Sequence, residues 1–108
     1  MKTIQAPDGK QYKLAYRTVE MGCVAMIKGH KKGCNEGRIV RVFLPLAPSE
    51  RYGHAQRKAP SSKDHTYWQV VAVDGTMLEY TQAAAPNKKL DTTVAVRTGL
   101  LRRLKEIE

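Results

Sequence analysis

At 108 residues the chain is long enough for one domain with one core and too short for two. Its 19 Lys and Arg against 10 Asp and Glu leave a net charge of +9, which turns attention to polyanions and acidic surfaces as partners. No apolar run nears the ~20 residues that span a bilayer, and Met1 to Tyr16 lacks the apolar stretch of a signal peptide, so neither a membrane helix nor a leader is expected.

In chain order, Pro7-Asp8-Gly9 reads as a turn, with proline presetting φ and glycine free to take φ > 0. Gln11 to Arg17 follows, where Tyr12, Leu14 and Tyr16 alternate with mostly polar neighbours, the pattern of a half-buried strand. After Glu20-Met21-Gly22 come two apolar runs, Val24 to Ile27 and Ile39 to Leu44. They enclose Gly29, Gly33 and Gly37 among Lys28, Lys31, Lys32 and Arg38, which predicts a β-hairpin with a basic tip. On its return strand Val40, Val42 and Leu44 share one face and Ile39, Arg41 and Phe43 the other, as expected of a central strand.

Residues 45–65 hold three prolines and show no period, which predicts a mobile basic loop carrying Arg51, Tyr52, Arg57, Lys58 and Lys63. Thr66 to Val73, with Tyr67 and Trp68 pointing to opposite faces, has the strongest β signal in the chain. Asp74-Gly75 predicts a two-residue hairpin into Thr76 to Tyr80. Thr81 to Asp91 reads as a loop around Pro86, and Thr92 to Arg97 as a last strand with Val94 and Val96 inward. Gly99 to Leu104 has leucines at helical spacing, which predicts a short C-terminal helical turn plugging the end of the sheet, with Arg102 and Arg103 complementing its C-terminal dipole.

These elements describe an all-β domain over residues 1–108, a small antiparallel barrel of five or six strands with a short C-terminal helical turn. Its expected core is Leu14, Val24, Met26, Val40, Val42, Val71, Val73, Val94, Val96, Leu101 and Leu104.

Two resemblances bear on that fold. Gly29, Lys32, Gly33, Gly37, Ile39 and Val42 stand in an order that resembles the KOW motif of ribosomal and transcription-elongation proteins, with one residue more than usual between Gly33 and Gly37. The KOW likeness implies an SH3-like barrel and contact with RNA or a protein partner. The overall order, from Met21-Gly22 through Gly37-Arg38-Ile39-Val40 to Leu100-Leu101-Arg102-Arg103-Leu104, resembles the plasmid-type dihydrofolate reductase. Val94-Ala95-Val96-Arg97 stands where that family has its Val-Gln-Ile-Tyr pore run, so this likeness implies a shared fold without the activity. The layout also resembles small uncharacterised phage and prophage proteins.

Chemistry-bearing clusters are sparse. Cys23, His30 and Cys34 lack the Cys-x(2–4)-Cys spacing of zinc sites, so no metal is expected. Two cysteines make no disulfide framework, which favours a reducing, cytoplasmic setting. Ser61, Ser62, Asp64 and His65 are hydrolase residue types in a segment with nothing to preorganise them, and no phosphate-loop or dinucleotide fingerprint is present. No enzymatic activity and no cofactor are therefore expected.

Residues 1–65 hold 13 basic and 5 acidic side chains, whereas residues 66–108 hold 6 and 5, so the positive field belongs to the part containing the hairpin and the 45–65 loop. The expected function is a non-enzymatic module that contacts RNA or DNA backbone through Lys28, Lys31, Lys32, Arg38, Arg41 and the loop, with Tyr52 available to stack on a base. The alternative is a protein-interaction module, such as a phage-type inhibitor of a host nucleic-acid machine, using the same basic face against an acidic protein surface.

Overall fold

A computed structural model describes residues 2–29, 35–46, 67–82 and 85–107 of the chain. Among the described residues there are nine strands: β1 (Ile4–Gln5), β2 (Gln11–Leu14), β3 (Val24–Ile27), β4 (Ile39–Pro45), β5 (Tyr67–Ala72), β6 (Leu78–Gln82), β7 (Ala85–Asp91), β8 (Thr93–Arg97) and β9 (Leu101–Glu106). Seven form one antiparallel sheet in the order β1-β2-β9-β3-β4-β5-β8, and β6 pairs with β7 in a second. The large sheet curls into a half-barrel compatible with an SH3-like barrel. Among the described residues its outer strands β1 and β8 do not pair with each other, so the expected closure is replaced by an open half-barrel.

Side chains alternate across the sheet, and here both faces are apolar. Ala25, Ile27, Val40, Val42, Val70, Ala72, Val94, Val96 and Leu101 build the main core, which Leu78 of β6 and Leu100 complete. The opposite face carries Ala6, Tyr12, Val24, Ile39 and Leu104, with Leu14, Met26 and Val73 packed against them. A third, smaller cluster joins Leu46 and Tyr67.

β3 and β4 lie side by side in the middle of the sheet, as the two-faced pattern of the return strand implied. A bulge between Val42 and Leu44 sets Leu44 opposite Gln69 and turns it toward the third cluster, off the face it was expected to share with Val40 and Val42. In β5 the residues at the main core are Val70 and Ala72, whereas the expected Val71 and Val73 point to the other face.

Four further sequence expectations change. Leu101 and Leu104 belong to a strand, and a 3-10 turn over Thr98–Leu100 precedes it in place of the expected helical turn. Leucines three apart imitate a helix, but here they feed opposite faces of β9, which inserts between β2 and β3. Asp74-Gly75 does turn the chain, with the Gly75 amide donating to Ala72 O at 2.9 Å. It joins no hairpin, because β4 and β8 already occupy both edges of β5. The loop expected around Pro86 is β7, where Pro86 falls in the irregular part of a two-stranded ladder that tolerates a missing donor. The strand expected through Arg17 ends at Leu14.

The turn at Pro7-Asp8-Gly9 forms as expected: the Gly9 amide donates to Ala6 O, and Asp8 accepts from the Lys10 amide and the Tyr12 hydroxyl. Burial of Tyr12, then its bond to Asp8, raises the phenol above its ordinary pKa. Residues 47–66, most of the predicted loop, lie outside the described residues, but Pro45 closes β4 and the Leu46 amide still donates to Tyr67 O at 2.8 Å.

Candidate binding surface

Of the residues expected to bind, Lys31, Lys32, Arg51, Tyr52, Arg57, Lys58 and Lys63 lie outside the described residues. Lys28, Arg38 and Arg41 are placed. Gly29 and Gly37 lie in the left-handed region (φ 97° and 79°), which favours residues without a Cβ.

Lys28 is exposed and lies 3.9 Å from the Glu36 carboxylate, a surface pair of small energetic weight. Arg41 is exposed and gives one N–H to Gly22 O at 3.0 Å, leaving the rest of its fork to solvent. Arg38 is half-buried and donates to Met77 O at 3.1 Å and to the Thr76 hydroxyl, tying the hairpin base to the segment before β6. Thr76 in turn donates through its hydroxyl and its amide to Asp74, and these two bonds, in that order, hold the Asp74 carboxyl below its ordinary pKa.

The same join depends on Asn35, which no pattern in the sequence singles out as a contact residue. Asn35 is buried, and its side chain makes two 2.8 Å bonds to the backbone of Glu79, accepting from N–H and donating to C=O. Its left-handed backbone (φ 63°) is one that asparagine tolerates better than most side chains. An asparagine two residues before Gly37 was the available signal.

A second basic region lies along the β2–β9 ladder. Tyr16, expected on a buried strand face, is instead 83% exposed with φ 53°. A bulky residue held there costs roughly 1–2 kcal/mol. The segment around it is pinned by β9: the Ala15 amide donates to Arg103 O at 3.0 Å, and Arg103 donates to Thr18 O and Glu20 Oε1, each at 2.9 Å. Nothing in the residue pattern marks Tyr16 apart from Tyr12, because the signal is the tertiary pinning.

Further along this ladder, Lys13 and Lys105 stand directly opposite each other. Like charges so placed cost stability, and among the described residues no carboxylate pairs with either. Arg102 donates to Gly99 O at 2.9 Å, so it bonds a carbonyl of the 3-10 turn that stands where the helical turn was expected. Trp68 and Tyr67 do point to opposite faces, Trp68 donating to the Thr98 hydroxyl at 2.8 Å and Tyr67 buried.

Among the described residues no group of His, Cys, Asp and Glu is arranged to hold a metal ion, and no helix is long and apolar enough to cross a membrane. Comparisons with family models, with curated proteins and with solved structures found no match to the chain.

Proposed function

We propose that the protein is a non-enzymatic module that binds nucleic acid through its phosphate backbone. The observation that carries this reading is a surplus of surface cations without carboxylate partners among the described residues, most sharply the directly opposed Lys13–Lys105 pair. A sheet that bears a like-charge pair at a cost in stability gains from an anion that bridges it. Lys28 and Arg41 add exposed donors at the base of the hairpin, and Lys31 and Lys32 add charge between Gly29 and Gly37 in the sequence. In this reading Arg38 positions the hairpin and does not touch the ligand, since its fork is spent on Met77 and Thr76.

A protein partner with an acidic surface is the second reading, favoured by the exposed side chains of Met21 and Leu90. Salt titration separates the two. Removing one phosphate-binding cation lowers the slope of log K against log salt by about 0.7–0.9. Replacing Lys28 and Arg41 by Gln is expected to flatten that slope by one to two such steps and to weaken all sequences alike, measured by anisotropy of labelled oligonucleotides. An unmodified protein with no salt-sensitive oligonucleotide binding near physiological ionic strength ends the proposal and leaves the acidic protein surface.

A further inference from the structure

Beside the end of the β2–β9 ladder, Tyr16 stands over an open groove of about 530 Å³ whose lining includes Leu14, Arg17, Leu101, Arg102 and Arg103. That volume is in the range of small-ligand sites. The ring is 83% exposed, so the strained backbone beneath it is not repaid by burial of the side chain. Strain held in place by surrounding contacts is characteristic of positions used in binding, and here Arg103 supplies the contacts on both sides of Tyr16. Among the described residues no carboxylate pairs with Arg17, which is exposed. Two residues along β9 from Arg103, on the same face, comes Lys105 with Lys13 opposite.

An exposed aromatic ring, an exposed arginine and a pair of lysines combine the two elements that single-stranded nucleic acid needs, a stacking platform and a cationic track. We infer that this groove is a single-strand subsite: one unstacked base lies on Tyr16, a flanking phosphate meets Arg17, and the strand continues over Lys13 and Lys105. The inference rests on the nucleic-acid reading above and adds to it the form of the ligand. A duplex keeps its bases stacked and offers nothing to the ring, so the subsite distinguishes single strands from duplex.

The test uses the full chain and four labelled probes: dT12, rU12, a 12-mer of abasic sites and a 12-base-pair duplex. Tyr16→Gly suits the left-handed position and is expected to fold at least as well as the unmodified protein, checked by circular dichroism. It is expected to weaken dT12 and rU12 binding by roughly 5- to 100-fold, while the abasic 12-mer and the duplex change little. Tyr16→Phe is expected to keep full affinity, and Arg17→Gln to weaken dT12 and the abasic 12-mer alike. Weakening on dT12 alone or on rU12 alone still supports the subsite and assigns it to DNA or to RNA. Equal weakening on dT12 and the abasic 12-mer, or none with Tyr16→Gly, overturns the subsite. If Lys28 and Arg41 substitutions still flatten the salt slope in that case, the backbone-binding reading survives without it. If no probe binds in a salt-sensitive way, both fall.

Discussion

Two basic regions of this molecule use their cations in opposite ways. At the hairpin base, each described cation has a partner: Lys28 the Glu36 carboxylate, Arg38 Met77 and Thr76, Arg41 Gly22 O. Along the β2–β9 ladder Arg103 and Arg102 are fastened, to Thr18 and Glu20 and to Gly99 O, whereas Arg17, Lys13 and Lys105 have no carboxylate partner among the described residues. The hairpin draws attention because its charge is dense in sequence. Density along the chain says how many cations are near one another, but only the fold says which of them are spent on neighbours. The less conspicuous region therefore holds more unspent charge, along with an aromatic ring presented to solvent on a strained backbone.

Both regions depend on the strands between them, and the largest expected effect comes from removing that common support. Ile27 is fully buried at the end of β3, which pairs with β4 on the hairpin side and with β9 on the other. Ile27→Ala is expected to cost about 2–5 kcal/mol, from forfeited transfer energy plus the cavity left behind. Chemical denaturation should show one transition, with hydrogen-exchange protection falling at both regions together. A fall at the hairpin alone would mean that the two are not joined through β3.

Next in size is a pair of substitutions that pulls the regions apart. Asn35→Ala removes two bonds and leaves the Glu79 backbone groups without them, for a cost of about 1–3 kcal/mol. Arg103→Ala removes the bonds to Thr18 and Glu20, with a smaller cost because its partners reach solvent. Hydrogen exchange is expected to quicken at Ile27, Gly37 and Glu79 in the first variant, and at Ala15 to Glu20 in the second. Exchange that quickens in both regions with either substitution would make the two a single cooperative unit.

The all-β class, the N-terminal turn, the central hairpin and much of the main core were legible, because period-two alternation and glycine-bearing turns are local signals. Val40, Val42, Val94 and Val96 are buried as their alternation implied. What was not legible depended on pairing partners. Leu101 and Leu104 are three apart, and only the insertion of β9 between β2 and β3 decides that they face opposite clusters. Asp74-Gly75 makes a sound turn in a place where the next strand finds both edges of β5 taken. Tyr16 continues the alternation of Tyr12 and Leu14, yet the strand ends at Leu14 and the backbone turns at Tyr16, carrying the ring into solvent. Asn35 carries no local signal of its contact, because its partner Glu79 lies 44 residues away.

The smallest expected effect concerns how the hairpin is fastened, and it depends on pH. Asp74 receives two bonds from Thr76, and Thr76 receives one from Arg38, so the carboxylate helps to orient the hydroxyl to which the hairpin arginine is tied. Its pKa in the folded protein lies below the unfolded value of 3.8, chiefly because the Thr76 hydroxyl and amide favour the charged form. The sign follows from linkage: this contribution to stability is present above the unfolded pKa and is lost as pH falls through the folded one. Asp74 is exposed, so solvent screens the effect and the change is small. Asp74→Asn is expected to lower the melting temperature slightly at pH 6, and the difference from the unmodified protein is expected to close as pH falls through the folded pKa of Asp74. Amide signals of Arg38, Thr76 and Met77 should move with the substitution while those of Ala15 to Thr18 stay in place. Constant separation between the two proteins down to low pH would show that the carboxylate charge plays no part in holding the hairpin base. Arg38 would then be held by Met77 O and a hydroxyl that needs no orienting.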